Sequence, residues 1–153
     1  MESIPTKWLV FFISAIPILE QKAAIPIGLA ANLRYTTIFF YSLLGSLLPS
    51  PFIILLIDKV FIFLRRFAFF EKIIDKLEKR AFQKGKTVEK YALFGLFILV
   101  ALPLPGTGVW TGSLVAALLK LNIKDALVVI ALGAAVCGLF ILLSGVGVLS
   151  IID

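Results

Sequence analysis

The chain has 153 residues, 61% of them hydrophobic, with a mean hydropathy of +1.09. A soluble domain is about half apolar, so this composition excludes an ordinary water-soluble globule and points to a polytopic membrane protein. The net charge is +6, histidine is absent and cysteine occurs once, at Cys137; the commonest metal ligand, the usual general base, every Ser-His triad and any intrachain disulfide go with them. No enzyme activity, metal or cofactor is expected.

In chain order, Trp8 to Leu19 has the length of a secretory h-region. A signal peptide is nevertheless not expected, because only Lys7 against Glu2 precedes this stretch and Glu20-Gln21-Lys22 follows where a small-residue cleavage site belongs. Trp8 to Leu19 and Ala23 to Leu33 are each roughly a dozen residues long, short of the roughly 20 that a spanning helix needs. They read as two arms of a hairpin that enters and leaves the bilayer by one face, with Glu20 and Lys22 at their junction. A charge at that depth costs several kcal/mol unless it pairs or hydrates, which makes both residues functional candidates. The alternative is a solvated loop at the headgroups. Arg34, after the second arm, either snorkels to the outer headgroups or reaches back to Glu20.

Tyr35 to Ile57 is long enough to span, and Pro49-Ser50-Pro51 is expected to kink or divide it. Residues 65–90 carry nine basic and four acidic side chains. The apolar positions Phe70, Ile73, Ile74, Leu77 and Ala81 recur at helical spacing, which predicts an amphipathic interfacial helix ending near Gly85. The positive-inside rule puts this block in the cytoplasm with Lys120 and Lys124, and both termini outside. The interleaved acids argue against nucleic-acid binding.

The apolar tract from Tyr91 to Leu119 is interrupted by Pro103-Leu104-Pro105-Gly106-Thr107-Gly108-Val109-Trp110-Thr111-Gly112. Proline removes backbone donors and glycine disfavours helix, so this stretch cannot cross lipid as an ordinary helix; irregular backbone survives at depth only where protein or a water-lined cavity shelters it. Trp110 reads as an interfacial anchor or an aromatic wall for a substrate. The hydroxyls of Thr107 and Thr111 serve either freed carbonyls or a ligand. The last apolar run, Ala126 to Ile152, has small residues at Gly133, Ala134, Ala135, Gly138, Gly145 and Gly147 that would let a second copy approach, predicting a homodimer.

The halves share a plan of two short arms around a broken centre, then an asparagine, a basic residue and a long span. Glu20 to Asn32 is the same distance as Trp110 to Asn122. The expectation is an all-α integral membrane protein forming one domain, 1–153. It has two re-entrant helical hairpins and transmembrane helices in an inverted repeat (1–64 and 91–153) around an amphipathic cytoplasmic helix, 65–90.

The run Glu20-Gln21-Lys22-Ala23-Ala24-Ile25-Pro26-Ile27-Gly28 and the run Pro103 to Gly112 resemble the two signatures of the small multidrug export protein family. The resemblance covers essentially the whole chain in length, motif order and charged middle segment. Lys22 stands where arginine is more usual, and lysine lacks the bidentate fork that an anionic group prefers. That family is distantly similar to the DedA superfamily, membrane proteins with two re-entrant hairpins that are implicated in moving the carrier lipid undecaprenyl phosphate across the bacterial membrane.

The resemblance implies a multi-pass transporter of a bacterial or archaeal plasma membrane, coupled to protons or sodium. It would move an amphipathic drug or lipid phosphate by alternating access. The expected substrate- or ion-binding residues are Glu20, Lys22, Pro26, Gly28 and Arg34, with Pro103, Pro105, Gly106, Thr107, Gly108, Trp110, Thr111 and Gly112. The competing reading is a non-transporting structural or lipid-organising protein, for which Glu20 and Lys22 would lie solvated at the surface.

Overall fold

The computed structural model describes residues 4–64 and 86–152, and the regular structure among them is helical throughout. Helix α1 (Ile4–Ala15) and helix α2 (Glu20–Ala30) are joined by a turn held by Ile16 N–H to Ile13 O at 3.2 Å and Glu20 N–H to Ile16 O at 3.1 Å. Glu20 and Lys22 therefore form the first turn of α2 rather than a linker between two arms. An acidic residue suits that position, because the exposed amides of a helix N-terminus carry partial positive charge.

Helix α3 (Tyr35–Leu47) and helix α4 (Ser50–Leu64) meet at a break over Leu48 and Pro49, where the sequence places Pro49-Ser50-Pro51. Neither proline donates an N–H, and the ladder divides as expected. Helix α5 (Lys86–Ala101) is followed by an irregular loop over 102–108, then helix α6 (Val109–Leu118) and the long helix α7 (Ile123–Ile152). The charged stripe from Phe70 to Ala81 and its expected end at Gly85 lie outside the described residues.

Tyr35–Ile57 (23 residues, mean hydropathy 1.9) and Ile123–Val148 (26 residues, 2.9) are long and apolar enough to cross a bilayer. Helices α1, α5 and α6 are shorter, as their sequence lengths require.

Both α2 and α6 end in the same way. Leu33 N–H bonds to Gly28 O and Asn32 N–H to Leu29 O; Leu121 N–H bonds to Ala116 O and Lys120 N–H to Ala117 O, each at 3.0–3.2 Å. These are Schellman closures, with Asn32 (φ 55°) and Lys120 (φ 51°) as the left-handed residues. Positive-φ positions recur at a spacing of 88: Ile18 (74°) and Gly106 (80°), Glu20 (44°) and Gly108 (140°), and Asn32 and Lys120. This spacing of 88 differs by two from the 90 that separates Asn32 from Asn122, the pair matched in the sequence.

Two buried clusters form, and each draws residues from both ends of the chain. Val10, Ala24, Ile25, Leu29, Leu33 and Ile38 pack with Leu142 from α7. Ile54, Leu96, Val100, Val109 and Ala116 pack with Ala126, Ile130 and Ala134, also from α7. Helix α7 therefore serves both, and its small residues make this possible. A Cβ at Gly133 would lie 2.9 Å from Val100 Cβ, at Gly138 2.6 Å from Gln21 Oε1, and at Gly145 2.5 Å from Leu29 Cδ1. The face expected to receive a second copy is largely spent within the chain. Outside, Phe12, Phe40, Phe52, Phe94 and Phe140 are all exposed, a distribution that water does not tolerate and lipid does.

Serines cross the interior. Ser14, Ser42, Ser46, Ser50 and Ser113 are fully buried. Ser113 Oγ donates to Val109 O at 2.6 Å, so Ser50 is the donor in the 2.7 Å contact between the two hydroxyls, which links α4 to α6. Ser113→Ala should cost about 1 kcal/mol by leaving the Ser50 hydroxyl unmatched, and adding Ser50→Ala should restore most of it. Melting of the two variants in detergent checks this: a double variant less stable than Ser113→Ala alone would refute the pairing.

Candidate functional site

The loop over 102–108 has little backbone pairing of its own, only Leu104 N–H to Leu102 O at 2.9 Å and Thr107 N–H to Leu104 O at 3.2 Å. Pro103 and Pro105 contribute no donors, and Gly106 and Gly108 take backbone angles that side chains resist. The threonines compensate. The Thr107 hydroxyl sits 2.7 Å from Leu102 O and 2.9 Å from Leu104 O and accepts from Leu104 N–H at 3.2 Å; Thr111 Oγ1 donates to Gly106 O at 2.8 Å. Both hydroxyls are thus bonded to freed carbonyls of the loop.

The beginning of α2 faces this loop. Glu20 is only 6% exposed, and its Oε1 accepts the Trp110 N–H at 2.9 Å with the Val109 amide also directed at the carboxylate. Gly108, the N-cap of α6, offers no side-chain cap, so a carboxylate from another helix takes that place at the positive end of α6. Gly108 is what lets it approach: a Cβ there would fall on the Glu20 carboxylate. Lys22 Nζ donates to Leu104 O at 2.7 Å and to Thr107 O. The Trp110 indole N–H donates to Ala15 O at 3.1 Å, tying the start of α6 to the end of α1. Two opposite charges from the first break are thus matched to amides and carbonyls of the second.

Beside this junction lies an apolar cleft of about 640 Å³, lined by Ala15, Leu48, Pro49, Phe52, Ile53, Leu56, Ile57, Trp110 and Leu114. Trp110 belongs to both, since its N–H groups hold the junction and its residue walls the cleft.

The structure gathers Glu20, Lys22, Thr107, Gly108 and Trp110, with Gly106, Thr111 and the two prolines shaping the loop around them. It does not gather the rest. Pro26 is an exposed residue inside α2. Gly28 packs against Ile38, where a Cβ would lie 2.8 Å from Cγ1, and Gly112 against Val100, at 2.5 Å from Cγ2. Arg34 is exposed beyond the far end of α2, roughly 16 Å along the helix from Glu20, so it does not reach back to that carboxylate. The sequence reading missed Gln21, which is 4% exposed and donates from Nε2 to Ser46 Oγ at 3.0 Å. Its signal was a third polar residue between two charges in an apolar tract, overlooked because an uncharged amide costs less to bury than either neighbour.

Taken together, the two apolar spans, the lipid-compatible surface and the polar junction between helix breaks define a small all-helical membrane protein with a built polar centre. The model of the family described as "Putative small multi-drug export protein" matches residues 20–140, which contain Glu20, Lys22 and the loop over 102–108, and the chain belongs to that family. No curated protein and no solved structure matches it.

Proposed function

We propose that the protein is an ion-coupled transporter of amphipathic molecules in the plasma membrane of a bacterium or archaeon. The observation that carries this reading is the junction itself: Glu20 and Lys22 are bonded to the loop and first turn of the other half, next to an apolar cleft large enough for a chain or ring system. A cleft for the apolar body and a charged centre for the head group are the two halves of an amphipath's binding site.

In this reading the α1–α2 and α5–α6 pairs are re-entrant hairpins, and the two halves form an inverted repeat. The short helices and the matching positive-φ positions support both. Such repeats place a substrate site where broken helices meet. Ionised Glu20 holds the α6 amides and so closes the tips. A proton arriving at Glu20 weakens that charge-assisted bond, and the amides of Val109 and Trp110, with Lys22, become available to an anionic head group such as a lipid phosphate. The head group then takes the place Glu20 held, and exchange between the two occupants alternates access.

Glu20→Gln tests the reading, because it keeps the shape and an acceptor oxygen but removes the charge and the proton. The variant should insert and purify as wild type does. In proteoliposomes under a proton gradient, movement of a labelled polyprenyl phosphate or a fluorescent lipophilic dye should drop to background. Normal transport at wild-type expression would reduce Glu20 to a helix cap and favour a structural role for the protein.

A further inference from the structure

Gln21 has one satisfied end and one that is not. Ser46 Oγ donates to Leu43 O at 2.9 Å, so it must accept from Gln21, which fixes Nε2 toward α3. Oε1 is thereby turned toward α7, where it has no hydrogen-bond partner although it is fully buried. Its approach to α7 depends on Gly138, whose Cβ would sit 2.6 Å from that oxygen. A buried acceptor left unpaired costs a folded protein stability, and native structures rarely keep one without an ordered water or ion.

A cavity of about 10 Å³ lies at the same place, lined by Glu20, Gln21, Lys22, Val100, Gly108, Val109, Ala134 and Cys137. That is room for a single water, and water needs two to four polar partners to stay in such a space. The residues around it carry such groups: the carbonyl oxygen of Gln21, the carboxylate of Glu20 and the ammonium of Lys22, which has three N–H donors and gives two to Leu104 and Thr107. A cation fits less well, because the ammonium shares the wall and only two side chains offer oxygen. The titratable groups around the cavity are Glu20 and Lys22 from α2 and Cys137 from α7, while α5 and α6 contribute only Val100 and Val109.

We propose that this cavity binds one water molecule, held by Gln21 Oε1 beside Glu20 and Lys22, and that Gln21 is through it a positioning residue for proton exchange at Glu20. The second part rests on the reading of Glu20 as the coupling group; the first does not.

A pair of measurements separates them. In a Ser46→Ala background, where the Nε2 bond is already gone, Gln21→Met removes the buried oxygen at nearly constant volume. With a water present the substitution takes away one of its partners, and the melting temperature in detergent should hold or fall. A rise would mean that an unsatisfied oxygen in a dry cavity had been relieved, and would overturn the water site. The second measurement is the pH profile of transport with Glu20 intact. Gln21→Met should displace its midpoint, whereas Ser46→Ala alone should not; a midpoint unmoved by Gln21→Met would overturn the positioning role. If Glu20→Gln transports normally the coupling reading fails by itself, and the melting comparison still decides the water.

Discussion

Gly108→Ala is expected to destabilise the protein by about 3–5 kcal/mol, more than any other single methyl added in the loop. Two costs combine at this position. Its φ of 140° and ψ of −162° belong to a region that is essentially reserved for glycine, and forcing alanine there costs about 1–3 kcal/mol. The new methyl would also occupy the space of the Glu20 carboxylate, which then loses the Trp110 N–H, a charge-assisted bond of about 1.5–3 kcal/mol.

Gly106→Ala is the control. Its φ of 80° also resists a side chain, but nothing lies within 4 Å of the added atom, so only the strain remains. Melting in detergent should rank wild type, Gly106→Ala, then Gly108→Ala, with a clear gap between the variants. In Glu20→Ala the collision disappears, so the pair of substitutions should cost less than their sum. Equal melting of the two glycine variants would show that the carboxylate yields easily and that the contact between the breaks is weak.

The second large effect is expected at Gly45→Ala, at about 3 kcal/mol, the upper end of overpacking. Gly45 lies on α3 directly against the α1 backbone. A Cβ there would collide with the Phe11 carbonyl oxygen and lie 3.0 Å from its carbon and 3.1 Å from Cα. No side chain can rotate away from a backbone, so α1 has to move bodily. Small residues that allow such backbone approach are how helices associate where lipid removes the hydrophobic drive between them. Displacing α1 would also disturb Ser14 and Ala15, which bond to Ser42 and Trp110.

Gly95→Ala on α5 should have the opposite sign. It is exposed, nothing lies within 4 Å of its added Cβ, and alanine is the better helix former by about 1 kcal/mol. Losses of similar size at Gly45 and Gly95 would mean that helix propensity, not the α1–α3 contact, governs both.

Much of this molecule was legible in one dimension because its solvent imposes simple requirements. An apolar fraction of 61% and two stretches long enough to span point to a membrane protein. Proline cannot donate, so Pro49 and Pro51 divided a span and Pro103 and Pro105 an apolar tract without any knowledge of neighbours. Glu20, Lys22 and the Pro/Gly/Thr run stood out for the same reason, since polar groups in an apolar tract have to find partners.

What those partners are is a three-dimensional matter. Nothing local says that Glu20 caps α6, that Lys22 bonds the carbonyls of Leu104 and Thr107, or that Gln21 leaves an oxygen facing a cavity, because each contact joins residues far apart in the chain. Gly28 and Gly112 look like their neighbours in the motifs, and only packing against Ile38 and Val100 reveals them as spacers. Arg34 looks like a partner for Glu20 until α2 is seen to hold them apart. The spacing between the two helix ends differs by two residues from the one matched in the sequence for a related reason. Asparagine and tryptophan can be matched by eye, but the chain reverses where the backbone turns left-handed, and that is decided by how each short helix is closed against its neighbours.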